Sequence, residues 1–247
     1  MCGRFVSSNT PDRIASYFGA TFDTEPLSDN FNVAPTNDIY AVVADATAQP
    51  VVRAFHWGLV PSWAKDVKIG SRMINARAET LAEKPAFKPL LKSRRVIVAM
   101  DGFYEWKTVV GQKTKQPFFI HRYDGEPLAV AGLWTAWRDK NAGPGAPWLH
   151  SCTIITTAAN AFMAPVHDRM PVLLLPSAWH EWLDPDQHDI ETLGRLLVPA
   201  PDDLLEMHPV STAVNHVRNK GAELIDVIDI PGIDIPGIDR SGIELAG

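Results

Sequence analysis

Short apolar runs rich in β-branched residues recur along the chain at Ile39–Ala44, Val96–Met100, Phe118–His121, Leu128–Gly132, Cys152–Thr157 and Val172–Leu175. Their length and their polar or turn-forming flanks predict strands. Helical spacing is rarer. Thr10-Pro11-Asp12 offers an N-cap hydroxyl, a first-turn proline and an early acid, and predicts a helix running to about Phe18. Ser177–Leu183 follows a proline and predicts a second helix. Ile190–Leu197, with Leu193, Leu196 and Leu197 along one face, predicts a third. The strands do not alternate regularly with helices, so the pattern predicts a largely antiparallel α+β domain and not a βαβ repeat.

The end of the chain reads differently. Asp229–Ile233 is Asp-Ile-Pro-Gly-Ile, Asp234–Ile238 repeats it, and Asp239–Ile243 is a variant. A five-residue period with proline and glycine suits neither a helix nor a central strand. The chain therefore divides into a domain of residues 1–226 and a low-complexity tail of residues 227–247 that is expected to be disordered.

Composition narrows the class without naming it. A chain of 247 residues with 46% hydrophobic content can bury a sizeable core. It contains no apolar run long enough to span a membrane, and its first residues lack the basic and apolar blocks of a secretory signal. Two cysteines, Cys2 and Cys152, exclude a disulfide framework and a four-cysteine zinc site. A reducing interior is the expected location: cytoplasmic, nucleoid-associated in a bacterium and nuclear in a eukaryote. Eight histidines occur without His-Glu-x-x-His or comparable spacing, so no metal and no cofactor is expected. The net charge of −6 at first opposes a nucleic-acid partner. However, six acids and one base lie from Glu223 onward, which leaves about −1 for the remainder. A near-neutral body is compatible with a local cationic groove.

Cys2 carries the sharpest chemistry. Methionine is usually trimmed before a small second residue, and trimming leaves a cysteine with two nucleophiles on adjacent carbons. Its α-amine ionises near pH 7.7–8.0, against about 10.4 for lysine, so far more of it is neutral and able to attack a carbonyl. The thiol, near 8.5 in an unperturbed cysteine, can add to the resulting imine and close a five-membered thiazolidine. Lysine offers only the imine. Cys152, in an apolar strand, reads instead as a small buried hydrophobe, and Thr157 at the end of that strand is placed toward the site.

Four further polar segments stand out. Ile74–Thr80 sets the amide of Asn75 near the guanidinium of Arg77, and Asp101–Trp106 places Glu105 among aromatic rings just after a strand. Val166–Pro171 puts His167, Asp168 and Arg169 together, and His208–Ser211 lies close to Asn215. With Met1–Phe5, Asn32–Thr36 and Trp57–Trp63 they make seven motifs, which occur in the order seen in the SRAP family, the SOS response-associated peptidases, understood as abasic-site shields. The resemblance covers residues 1 to about 226 and leaves the tail outside it.

The resemblance implies a single α+β SRAP-like domain with a mostly antiparallel, barrel-like sheet core flanked by helices, and a DNA groove leading to the N-terminus. It implies that Cys2 forms a covalent crosslink with the opened deoxyribose of an abasic site in single-stranded DNA. Asn75 would orient the cysteine backbone or the sugar, Glu105 would bond the α-amine and move protons, and His167 would act on the sugar oxygen. Arg4, Arg77 and Arg169 match positions used toward phosphates, for which guanidinium forks are suited. Trp63 would stack on a base beside the lesion; some relatives carry a second tryptophan at the next position, where this chain has Ala64. Two other readings remain: a cysteine peptidase acting mainly on its own Met1, and a non-covalent single-stranded-DNA-binding module. A monomer is expected, with no membrane partner.

Overall fold

A ring of five strands organises the chain. In a computed structural model, which describes residues 2–230 other than 110, 112 and 144, the strands among the described residues are β1 (Phe5–Ser7), β2 (Thr21–Phe22), β3 (Asn30–Val33), β4 (Asp38–Ala44), β5 (Pro50–Trp57), β6 (Asn75–Arg77) and β7 (Arg95–Met100). They continue with β8 (Gly102–Lys107), β9 (Gln116–Arg122), β10 (Leu128–Trp137), β11 (Leu149–Ala158), β12 (Arg169–Pro171) and β13 (Leu205–Pro209). The helices are α1 (Pro11–Phe18), α2 (Lys88–Ser93), α3 (Pro176–Leu183) and α4 (Ile190–Arg195). The tail repeats from residue 231 onward lie outside the described residues.

Strands β5, β4, β7, β10 and β11 pair antiparallel in that order, and β11 returns to β5 in a parallel pairing, Ser151 opposite His56 and Cys152 opposite Trp57. That last pairing closes the barrel, and a closed sheet leaves no edge between its first and last strands. A second antiparallel sheet runs β13-β9-β8-β1-β3. The chain passes from the barrel to this sheet at Asp101, between β7 and β8.

The apolar run of β7 is explained by burial on both faces. Val96, Val98 and Met100 point into one core with Trp57, Phe103 and Ile120, while Ile97 and Ala99 face a second core with Leu91 of α2 and Trp182 of α3. A strand covered on both sides reads as continuous hydrophobicity. Arg95, buried at the start of β7, donates to the carbonyls of Trp182, Leu91 and Asp184, so one guanidinium satisfies the open ends of two helices.

The six strand segments expected from the sequence match the fold at five places. Val172–Leu175 is the exception. β12 ends at Pro171, and beyond it Val172 N donates to Ile155 O, while Leu173 forms one isolated antiparallel bridge with Val130, closed by Ala131 N to Val172 O and Leu174 N to Ala129 O. Pro176 opens α3 shortly after this bridge, so no longer ladder forms. The apolar character of this segment reflects burial alone. The α1 expectation holds: Thr10 Oγ1 accepts from Arg13 N at 3.3 Å, and Gly19 closes the helix in the left-handed conformation. The third helix stops at Arg195, before the expected Leu197. Helix α2 and strands β1, β2, β3, β5, β6, β8, β12 and β13 lie outside the expected elements. Val227 bridges Val210, and Ile228 N donates to Pro209 O at 3.0 Å.

The turn after β5 sets the path from the barrel to Asn75. Gly58 has φ 134°, and a Cβ built there would lie 2.7 Å from Gly70 O, while one on Gly70 would lie 2.7 Å from Gly58 O. The two backbones touch, and Leu59 N donates to Met73 O beside them. Gly58→Ala is expected to lower stability by about 2–4 kcal/mol through combined backbone strain and overpacking. A urea-unfolding midpoint equal to that of the parent protein would contradict this close approach.

Candidate active site

Strand β1 brings the start of the chain onto β8. Phe5 lies opposite Phe103 and Val6 opposite Gly102, and Tyr104 N donates to Arg4 O at 2.9 Å. Continuing that register sets Gly3 beside Glu105, with Cys2 one residue further. Asp101 fixes the other end of β1: its Oδ2 accepts from Ser8 N and Ser8 Oγ, both at 2.6 Å, and its Oδ1 accepts from Asn9 Nδ2.

Side chains alternate along β8. Phe103 joins the inner core, whereas Tyr104 packs into the small outer cluster with Val6, Phe119 and Trp106. Glu105, 3% exposed, therefore faces the same interior as Phe103. Cys2 is fully buried in that interior, against the core that also holds Phe5, Trp57 and Met163. From the barrel side, Asn75 opens β6, which lies parallel to β11 with Asn75 opposite Ile154. Its Nδ2 donates to Cys2 O at 2.8 Å. Its Oδ1 is buried and accepts no hydrogen bond among the described residues, which leaves an acceptor for an incoming N–H or O–H.

The structure thus joins Cys2, Asn75 and Glu105. Burial, and next the negative charge of Glu105, push the Cys2 thiol well above its ordinary value. A thiol in this setting stays protonated at neutral pH. Cys152 is likewise buried, with its thiol pushed up by burial first and Asp38 second.

His167 ends a tight turn in which Met163 O accepts from both Val166 N and His167 N. Met163 belongs to the core that encloses Cys2, and Val166 packs against it. Nδ1 of His167 lies 2.9 Å from Arg169 N and 2.9 Å from Asp168 Oδ1. A backbone N–H can only donate, so in the neutral ring Nδ1 accepts from it and the proton sits on Nε2. In the imidazolium, Nδ1–H has the Asp168 carboxylate to donate to. Each protonation state therefore has a partner at Nδ1.

The three arginines fare differently. Arg77 is exposed. Arg4 is half-buried, with NH1 donating to Asn32 Oδ1 at 2.7 Å and Val214 O at 2.9 Å, and burial lowers its pKa. Arg169 forms a two-pronged ion pair with Glu79 at 2.6 and 3.0 Å and donates to Thr156 O, so its guanidinium links β12, β11 and the residues after β6. Trp63 is 63% exposed, which removes core packing as the reason for its presence. Thr157 is buried within β11, which continues to Ala158.

Sequence reasoning missed the partners. Asn32, fully buried, donates to Val214 O, His216 O and Asn219 O while accepting from Arg4, and so ties β3 to the residues after β13. Glu79 was passed over in the same way. Both contacts join residues far apart in the chain; the only local signal was that each acceptor stood in a motif already picked out for its neighbours.

The structure thus sets a buried cysteine at position 2 between a barrel and a side sheet, with an amide and a carboxylate beside it. Residues 1–217 match the family model described as SOS response associated peptidase (SRAP), and the chain belongs to that family. It is 42% identical over 228 residues to the abasic site processing protein YoaM of Bacillus subtilis, covering 92% of this chain and 98% of that protein. It is 34% identical over 238 residues to the abasic site processing protein YedK of Escherichia coli, covering 92% of this chain and all of the other. A solved structure of a protein from Bacteroides thetaiotaomicron superimposes with a TM-score of 0.81 at 22% identity, covering 92% of this chain and 100% of that one, which supports the fold.

Cys2, Cys152 and Tyr104 all have folded pKa values raised above their ordinary ones, chiefly by burial. Each is neutral in the folded protein and ionises in the unfolded chain, so its stabilisation is complete below about pH 8.5 and is lost as pH rises further. The urea midpoint is expected to fall progressively above about pH 9, and Cys152→Ala is expected to make that fall shallower. The same slope in both proteins would contradict a buried, protonated Cys152.

Proposed function

We propose that this protein captures abasic sites in single-stranded DNA by forming a thiazolidine between Cys2 and the lesion's aldehyde. The observation that carries this reading is the anchoring of a buried Cys2, with its carbonyl held by Asn75 and the Glu105 carboxylate bearing on its thiol. The names of the relatives, abasic site processing proteins, point the same way.

Hydrolysis of the Met1–Cys2 peptide bond first frees the α-amine. An abasic deoxyribose is mostly the closed hemiacetal. Its opening requires a proton on the ring oxygen, which Nε2–H of the His167 imidazolium supplies, while a solvent water takes the proton of the C1′ hydroxyl. The neutral amine then adds to the C1′ aldehyde. Glu105 carries the two amine protons in turn to the former aldehyde oxygen, which departs as one water and leaves an imine. The thiol sulfur adds to the imine carbon while its proton passes to the nitrogen, closing the ring. General acid–base assistance of this kind typically contributes about 10²–10⁴-fold.

The raised thiol pKa separates this chemistry from a peptidase acting on other chains. A peptidase cysteine works as a thiolate whose pKa is lowered by a cationic neighbour. Here burial, and next the Glu105 carboxylate, disfavour the thiolate and outweigh the terminal ammonium that favours it. Amine attack followed by a protonated thiol does not need that ion. Removal of Met1 by the protein itself, and release of the DNA by reversal through His167, belong to the same proposal. Arg77 suits a phosphate contact, which gives affinity without base specificity.

The test is an abasic single-stranded oligonucleotide incubated with the protein and run on a denaturing gel. A linked species is expected with the parent protein, absent with Cys2→Ala and formed at least about a hundredfold more slowly with Glu105→Gln. Binding that is equal in all three proteins and wholly lost on denaturation would favour the non-covalent module.

A further inference from the structure

Strand β11 serves as a ruler along the molecule. Leu149 pairs with Trp137 of β10, Ile154 lies beside Asn75, Thr156 beside Arg77, and Ala158 opposite Arg169. From Ile154 back to Leu149 is about 17 Å of strand. At the Leu149 end, away from Arg77 and Arg169, lies a small apolar cluster of Val60, Ala64 and Trp137, with Leu149 and Ile69 packed against it. Trp137 Nε1 donates to Ala64 O at 2.8 Å and fixes the loop after β5 to the end of β10.

Two exposed tryptophans flank this cluster, and each adjoins one of its residues in the chain. Trp63 precedes Ala64, and Trp148, 59% exposed, precedes Leu149. The Arg138 guanidinium sits 4.8 Å from the centre of the Trp148 ring. Between Trp63 and Arg77 the exposed charges are Lys65, Lys68, Arg72 and Arg77 against Asp66 alone, so this stretch is cationic in a chain of net charge −6. An exposed indole backed by a guanidinium beside a basic segment suits a stacked base on an anionic strand.

We propose that Trp148, backed by Arg138, is a second stacking platform that holds a base of the DNA strand a few nucleotides from the lesion bound at Cys2. This rests on the DNA reading above and extends it from one reactive nucleotide to a directional track. The track runs from Arg77, past Asn75 and Cys2, to Trp63 and Trp148. Since the platform lies on one side of the reactive residue only, it recognises flanking strand of one polarity.

The experiment uses the full chain and two labelled single strands, each with an abasic site at one end and about ten nucleotides of flank on either the 5′ or the 3′ side. Fluorescence anisotropy reads binding, and a denaturing gel reads crosslinking. For Trp148→Ala the loss of affinity is expected to be about tenfold greater on one polarity than on the other, with Trp148→Phe recovering most of it. Equal affinities of variant and parent, or equal losses on both polarities, would overturn the platform; the first of these would leave the exposed ring for a protein partner. If the parent binds and shows the polarity-dependent loss but forms no crosslink, the covalent reading falls and the platform stands. If it crosslinks and the variant matches it throughout, the reverse holds.

Discussion

The pairing of β1 with β8 is the contact on which the site depends. It draws the first residues of the chain into the interior between barrel and side sheet, where a free terminus would otherwise fray. Backbone bonds from Tyr104 to Arg4, the Asp101 tether on Ser8 and Asn9, and the Asn75 amide on Cys2 O hold this segment at three points. Each hydrogen bond is worth about 1 kcal/mol, but together they remove the conformational freedom of the first residues. The closed barrel matters because it supplies β6, and hence Asn75, from the opposite side.

The electrostatics of this interior select the order of chemistry. A carboxylate and a thiol share a buried space, so the thiolate is disfavoured, and under the proposed function the α-amine is the leading nucleophile. The arginines follow a similar division. Arg4 and Arg169 are largely occupied by Asn32 and Glu79 and shape the walls of the site, while Arg77 remains exposed. An ion pair such as Arg169–Glu79 holds β12, and with it the turn carrying His167, against the residues after β6.

Much of the barrel was legible because Val96–Met100, Leu128–Gly132 and Cys152–Thr157 are buried on both faces and read as continuous apolar runs. Strand β8 was not, because Gly102–Lys107 carries a buried Glu105 among aromatics and breaks every simple pattern. Val172–Leu175 misled for the opposite reason, since burial produced a strand-like run that makes only an isolated bridge before Pro176 opens α3. At the candidate site, Cys2 drew notice from the chemistry of one residue. Its bond to Asn75, 73 residues away, was not, because contacts that distant in the chain leave no local mark.

The central claim is that both nucleophiles of Cys2 end in one ring, and intact-mass analysis of the DNA-linked protein with and without borohydride tests it most directly. A thiazolidine predicts a mass equal to the Met1-free protein plus DNA less one water, unchanged by the reductant. An adduct that gains two hydrogens on reduction would be an imine alone, and an adduct that retains Met1 would place the bond elsewhere; either result would contradict the account.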